Sequence, residues 1–226
     1  MLRLFTARAG ALALGAMLLA AGQVQAQSAT AAAGQGAAAG HGQSHAHDAR
    51  SVYKGYFDDD QIAQRPLSDW AGKWQSVYPL LRDGTLDPVM AHKAENGGKS
   101  QAEHRAHYEV GYRTDVDHVT IDGDRVSFHR GDTVATGTYA PDGYEILTYA
   151  AGNRGVRFIF RKVGGDAGAP QVIQFSDHKI APEVSDHYHL YWGEDRAALL
   201  TEVTNWPTYY PAALDKGEIV AEMLAH

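Results

Sequence analysis

Cysteine is absent from this sequence of 226 residues, and its absence excludes several kinds of chemistry. Without cysteine the chain cannot form disulfide bonds, bind a metal through a thiolate or use a thiol as a nucleophile. Any transition metal that it binds must therefore be held by histidine and carboxylate side chains. The chain has 12 histidines, which makes them the first candidates for metal ligands.

An excess of basic charge is also missing. The chain carries 20 Lys and Arg against 27 Asp and Glu, which gives a formal net charge of −7. Proteins that bind nucleic acid need a basic surface to neutralise phosphates, so we exclude nucleic acid as a partner. An acidic balance is compatible with cation binding, although a solvated acidic surface is the more common reason for it. The 44% of hydrophobic residues are enough for one packed domain.

The first 26 residues have the pattern of a secretory signal peptide. Arg3 and Arg8 supply a basic start, residues 9–21 form an uncharged and mostly apolar run, and residues 24–26 offer a small-residue cleavage site. The apolar run is shorter than the roughly 20 residues that a membrane span requires. We therefore predict export, cleavage after about Ala26, and no membrane span in the mature chain.

Residues 27–56 are predicted to be a flexible leader. The stretch 27–50 contains no Ile, Leu, Val, Met or aromatic residue, so it cannot bury enough apolar surface to offset the entropy cost of ordering it. His41, His45 and His47 lie within this stretch, and short tracts of this kind can bind metal as an auxiliary site. A solvated spacer with three incidental histidines is an equally good interpretation.

The beginning of the remaining chain, residues 57–226, has helical patterns. Apolar residues recur at helical spacing after Ser68, a good N-cap, and predict a helix that includes Trp70, Trp74, Val77, Tyr78 and Leu81. Capping signals predict further helices, which begin at Asp87-Pro88, at Ser100 with Glu103, at Asp195 and at Asp215 with Glu218.

From residue 116 the pattern changes to short runs rich in Val, Ile, Thr, Tyr and Phe, each followed by turn residues. Seven strands are predicted, at residues 116–121, 125–129, 133–139, 144–149, 156–162, 171–175 and 187–192. Their short connections imply an antiparallel meander, and closure into a barrel would remove the exposed sheet edges. The predicted fold class is mainly β with helices, an α+β arrangement.

Three histidines in the strand region carry the clearest chemical signal. His187 and His189 lie two residues apart on a predicted strand, so both imidazoles point to one face, about 6.6 Å apart along the strand. His178 follows the preceding strand, and an antiparallel return places it opposite the other two. Three neutral imidazoles suit zinc and leave a fourth tetrahedral position open. Water, Asp177, Glu183 or a leader histidine could complete the site.

A metalloenzyme is the main alternative to a zinc carrier. Zinc enzymes also use three histidines with an open position, where a bound water becomes the nucleophile. His187 and His189 followed by Glu194 superficially fit a cupin-like metal site. However, the chain has no H-E-x-x-H or G-x-S-x-G motif and no identifiable general base, which favours the carrier over a zinc hydrolase or a cupin-like oxygenase. A lipocalin-type binder of organic molecules is a third and weaker interpretation.

Longer motifs carry a family resemblance. They are L-S-D-W-A-G-K-W-Q-S-V-Y-P-L-L at residues 67–81, F-S-D-H at 175–178, S-D-H-Y-H at 185–189 and N-W-P-T-Y-Y-P at 205–211. With these motifs the chain resembles the ZinT (YodA) family of periplasmic zinc-binding proteins, from about residue 57 to residue 226. The resemblance implies a lipocalin-like (calycin) antiparallel β-barrel with flanking helices.

The resemblance also implies a function. The metal-binding histidines of the family fall on His178, His187 and His189, and the implied metal is Zn²⁺. Three imidazoles also suit other divalent transition metals such as Cd²⁺. The implied role is to capture zinc under scarcity in the periplasm and to pass it to the solute-binding protein of a zinc ABC importer. We expect a monomer without catalytic activity.

Overall fold

The computed structural model describes residues 25–27 and 49–225, with side chains from residue 51 onward. The leader histidines His41, His45 and His47 lie outside the described residues, as does the predicted signal peptide apart from its last two residues. In the described part of the chain, no helix combines the length and the apolar character that crossing a membrane would require.

The strands of the described residues form one antiparallel sheet that closes on itself. The strands are β1 (Gln25–Gln27), β2 (Gly72–Ser76), β3 (His118–Asp122), β4 (Arg125–Arg130), β5 (Thr133–Thr148), β6 (Arg154–Gly165), β7 (Val172–Ser176), β8 (Tyr188–Gly193) and β9 (Thr208–Pro211). Their order is β5-β4-β3-β2-β9-β8-β7-β6, and β6 pairs again with β5. Strands β2 to β9 therefore form an eight-stranded barrel, and β1 pairs beside the second half of β5. The predicted antiparallel barrel is confirmed.

Helices flank the barrel, and the capping signals located most of them correctly. The α-helices of the described residues are α1 (Ala49–Tyr53), α2 (Tyr78–Arg82), α3 (Asp87–Asn96), α4 (Gln101–Gly111), α5 (Arg196–Leu200) and α6 (Lys216–Ala225). Ser100 and Glu103 form a capping box at the start of α4. Asp215 and Glu218 form the same pair of reciprocal hydrogen bonds, from backbone N–H to side-chain oxygen, at the start of α6. Helix α1 lies in the segment predicted as leader, where Val52 packs against the barrel core.

The helix predicted to follow Ser68 is wrong. A 3-10 turn, strand β2 and helix α2 follow one another there. Gly72 has a φ of 128°, which interrupts any helix, and Pro79 lacks the N–H that a continuing helix would need. Trp70 and Trp74 still pack into the same barrel core. The helical spacing therefore reflects the burial of one side of the chain. It does not indicate one continuous helix.

Three strands of the barrel differ from the predicted strands. Strand β2 was assigned to a helix, and β9 was missed because it has four residues, of which Pro211 is the last. Two predicted runs form the single strand β5, which passes Pro141 with a shift of register and so needs no separate turn. The missed strands are the pair that closes the barrel between β3 and β8.

The barrel wall separates two apolar layers. Tyr188 and Leu190 of β8 and Tyr209 of β9 point into the barrel core. Because side chains alternate along a strand, the residues between them face outward. There Tyr210 of β9 packs in a second apolar cluster with residues from α2, α3 and α6. The outer surface of β8 and β9 is therefore covered by the helical layer.

Candidate metal centre

The three predicted histidines come together on the outer face of the barrel wall. His178 follows the end of β7, His187 precedes β8, and His189 lies within β8, opposite Ser176 of β7 and Thr208 of β9. The ring centroids lie 5.4 Å apart for His178 and His187, 6.2 Å for His187 and His189, and 6.5 Å for His178 and His189. The strand pairing thus places all three imidazoles around one point, under the helices and outside the barrel core.

The spacing of the rings is slightly wider than that of a closed zinc site. Zn–N bonds of 2.0–2.1 Å in tetrahedral geometry would hold imidazole centroids about 5.2 Å apart. One pair is close to this value, whereas the other two are about 1 Å wider. Among the described residues no three His, Asp or Glu side chains could hold a metal ion as they stand. Small rotations of the imidazoles would be needed to close the group around an ion.

Hydrogen bonds fix which nitrogen of two histidines carries the proton. Nδ1 of His178 lies 3.0 Å from the carbonyl oxygen of Tyr53, which can only accept, so Nδ1 must be the donor. The hydroxyl of Thr208 donates to the carbonyl of Trp206 at 2.9 Å and therefore accepts from Nδ1 of His189 at 2.8 Å. A neutral imidazole that carries its proton on Nδ1 has on Nε2 the lone pair that a metal needs.

Aromatic rings and burial shape the environment of the histidines. The ring of Tyr53 stacks on His178 with 3.8 Å between centroids, and Tyr210 stacks on His187 with 5.0 Å between centroids. Burial lowers the pKa of His189 well below its ordinary value, and the other two histidines and Arg157 lower it further. His189 is therefore neutral at pH 7, as metal binding requires.

A buried arginine holds the loop that connects His178 to His187. Arg65 is fully buried, and its guanidinium donates to Asp69 at 2.9 Å and to Asp177 at 2.6 Å. It also donates to the carbonyl of Glu183 at 2.6 Å, in the middle of the loop. The hydroxyl of Ser185 lies 2.8 Å from the second oxygen of Asp177. Arg65 is 112 residues from Asp177 in the sequence, and no local pattern signals this contact.

Two carboxylates considered as fourth ligands are engaged elsewhere. Asp177 accepts from Arg65 and from the backbone N–H of Lys179 on one oxygen, and the hydroxyl of Ser185 lies 2.8 Å from the other. Glu183 forms an ion pair with Lys179 at 3.0 Å. Neither side chain lines the cavity that the three histidines share.

The cupin-like alternative does not assemble in this fold. Glu194 follows Gly193, the last residue of β8, and is exposed. A strand rises about 3.3 Å per residue, so Glu194 lies about 16 Å along the chain from His189. The five intervening steps also turn it toward the opposite face of the sheet. Glu194 therefore cannot share a metal with the histidines.

Cavities give access to the histidine group from several sides. A cavity of about 310 Å³ between the helices and the barrel wall is lined by all three histidines. A second cavity of about 450 Å³ is lined by His178 and His187, and a third of about 160 Å³ by His178 and His189. Tyr53 lines all three of these cavities. A metal ion and a further ligand could thus reach the imidazoles.

Comparison with known proteins identifies the family. The profile described as "ZinT (YodA) periplasmic lipocalin-like zinc-recruitment" matches residues 48–226. The chain belongs to the ZinT family. The matched range contains the barrel, the helices α1 to α6 and all three histidines of the candidate centre. Both the predicted family and the predicted lipocalin-like fold class are confirmed.

Two relatives share about half of the sequence in the matched region. The "Probable metal-binding protein YrpE" of Bacillus subtilis is 54% identical over 180 residues, which cover 79% of this chain and 72% of YrpE. The "Zinc-binding lipoprotein AdcA" of Streptococcus pneumoniae is 48% identical over 183 residues. The match covers 80% of this chain but 36% of AdcA, so the chain corresponds to about a third of that protein.

Solved structures confirm the ZinT fold. The Zn(II)-bound ZinT-like domain of Streptococcus pneumoniae AdcA superimposes with a TM-score of 0.74 at 47% identity and covers 76% of this chain and 97% of that domain. Zn(II)-bound AdcA itself gives a TM-score of 0.76 at 48% identity and covers 80% of this chain and 40% of AdcA.

Proposed function

We propose that this ZinT-family chain binds Zn²⁺ through His178, His187 and His189. The observation that carries the proposal is the convergence of three imidazoles on one point, with Nδ1 of His178 and Nδ1 of His189 acting as hydrogen-bond donors. The Zn(II)-bound state of the ZinT-like domain of AdcA supports the choice of metal. Because the chain has no cysteine, histidine nitrogens and carboxylate oxygens are the side-chain ligands left for zinc.

The proposed role is zinc recruitment outside the cytoplasm, without a catalytic step. The family description as periplasmic zinc recruitment and the signal-peptide pattern of residues 1–26 support this location. We propose that the chain captures zinc when it is scarce and passes it to the solute-binding protein of a zinc ABC importer. Three neutral ligands and accessible cavities suit such a carrier. An incoming ligand can approach the metal through a cavity and replace the histidines one at a time.

Zinc affinity of single-site variants tests the binding site. His178→Ala, His187→Ala and His189→Ala should each weaken zinc binding by on the order of 100-fold or more, since each removes one of three protein ligands. His92→Ala is the matched control, because His92 is an exposed histidine of α3 and should leave the affinity unchanged. Competition with a chromophoric chelator measures all four proteins.

The outcome that would overturn the site is retention of one tightly bound zinc by the triple variant without His178, His187 and His189.

Delivery is tested separately with the purified solute-binding protein. Stopped-flow measurement should show zinc transfer from the original chain and none from the His189→Ala variant, whereas absence of transfer from the original chain would remove the carrier role and leave zinc binding in place.

A further inference from the structure

A lysine shares the cavity of the three histidines. Lys93 of α3 is partly buried and lines the cavity of about 310 Å³ together with His178, His187 and His189. Its ammonium lies 5.5 Å from the ring centroid of Tyr108. Among the described residues Lys93 has no ion-pair partner, in contrast to Lys179 and Lys216, whose ammonium groups lie within 3.0 Å of carboxylates. This cavity therefore contains a cation whose charge is not balanced by a carboxylate of the described chain.

The charges of the cavity are unfavourable for zinc alone. The described residues that line it include neither Asp nor Glu. Zinc on three neutral imidazoles keeps its double positive charge, and Lys93 adds a third charge in the same cavity. Like charges repel more strongly when they are partly removed from water. An anion that binds the metal and faces the ammonium would relieve this repulsion, whereas a neutral water would not.

The walls of the cavity favour an organic anion over a bare inorganic ion. Aromatic side chains contribute to the lining, among them Tyr108, Trp206 and Tyr210, and Val89 and Met223 add apolar surface from α3 and α6. Binding sites for small organic molecules typically combine apolar walls with a few polar groups in cavities of about 300 Å³ or more. A volume of about 310 Å³ suits a molecule of roughly amino-acid size.

We propose that this cavity binds a small free carboxylate as the fourth ligand of the zinc ion, with the carboxylate shared between the metal and the ammonium of Lys93. The inference rests on the proposed zinc site and adds the class of its external ligand. A free molecule is the proposed occupant because the cavity of about 310 Å³ between the barrel wall and the helices α3, α4 and α6 has room for a whole small molecule.

The test measures zinc affinity in a non-coordinating buffer with added acetate, and with acetamide as a neutral molecule of the same shape. Acetate should tighten zinc binding about tenfold and acetamide should not. In Lys93→Gln the gain from acetate should disappear. Without acetate the same variant should bind zinc about fivefold more tightly than the original chain, because the repulsion is gone.

Two further variants complete the design. Lys99→Gln removes the same charge from an exposed position and should behave like the original chain. Lys93→Arg keeps the charge and should retain the response to acetate. If zinc binds but acetate has no effect, or acts equally on Lys93→Gln, the carboxylate ligand is refuted and the zinc site stands. If zinc does not bind at all, both proposals fail.

Discussion

The tautomers of the histidines are set by single neighbouring atoms. Two imidazoles donate from Nδ1, one to the carbonyl of Tyr53 and one to the hydroxyl of Thr208. Thr208 is itself oriented, because its proton goes to the carbonyl of Trp206. Such outer hydrogen bonds hold the ring orientation and raise the basicity of the metal-binding nitrogen. The affinity of the site should therefore depend on residues that never touch the ion.

Replacing Thr208 tests this dependence. Thr208→Val removes the acceptor for Nδ1 of His189 and keeps the shape of the side chain, so zinc affinity should fall by roughly 10- to 100-fold. Thr208→Ser keeps the hydroxyl and should retain most of the affinity. Chelator competition gives the affinity, and circular dichroism shows whether the barrel is intact. Equal affinities of the Val and Ser variants would mean that the hydrogen bond does not tune the site.

The sequence located the three histidines that come together in the structure, but not the residues that support them. His187 and His189 were recognisable because the two-residue period of a strand acts over neighbouring residues, and the return of the chain added His178. Tyr53 and Thr208 were not recognisable, since Tyr53 is 125 residues from its partner His178 and Thr208 belongs to a strand that was missed. Contacts across the fold leave no local pattern.

At the scale of elements, the β7–β8 connection depends on Arg65. Loss of this guanidinium would leave the buried carboxylates of Asp69 and Asp177 without a positive charge to pair with, and breaking such a buried pair costs about 3–5 kcal/mol. Arg65→Ala should therefore lower the free energy of unfolding by that amount, and Arg65→Lys should lower it less. Chemical denaturation measures both.

The control for this prediction is an exposed ion pair. Arg130 lies 3.1 Å from Asp115, whose side chain is 73% exposed, and pairs of this kind contribute about 0–1 kcal/mol. Arg130→Ala should therefore change the stability little. A loss for Arg65→Ala as small as that of Arg130→Ala would show that the buried network does not hold the loop.

Helix and strand predictions failed where burial and backbone conformation gave different signals. Capping boxes located α4 and α6 because they act between residues three positions apart. The run around Trp70 and Trp74 was misread because one-sided burial of a turn and a strand can imitate a helical period. Gly72, with its φ of 128°, was the local signal that could have corrected it.

At the scale of the whole molecule, burial of His189 links stability to pH. Burial lowers the pKa of His189 in the folded protein, whereas the unfolded chain keeps a pKa near 6.5. On acidification the unfolded chain therefore takes up this proton first. The contribution of His189 to stability is complete above about pH 6.5 and is lost progressively as the pH falls toward the lowered pKa.

Zinc-free protein in the presence of a chelator should accordingly lose stability between pH 7.5 and pH 5.5. The slope from this one proton is at most about 1.4 kcal/mol per pH unit. His189→Gln keeps a polar side chain without the titration and should show a weaker pH dependence. Urea denaturation at several pH values checks this, and identical slopes for the two proteins would assign the effect to other groups.

The central claim is that three histidines on the outer face of the barrel wall hold zinc. A crystal structure of the zinc-loaded protein tests it most directly, because it shows the atoms around the ion. We predict one zinc bonded to Nε2 of His178, His187 and His189 at about 2.0–2.1 Å, with the ring centroids drawn in to about 5.2 Å. A zinc ion bound elsewhere, or bonded to fewer than three of these histidines, would contradict the account.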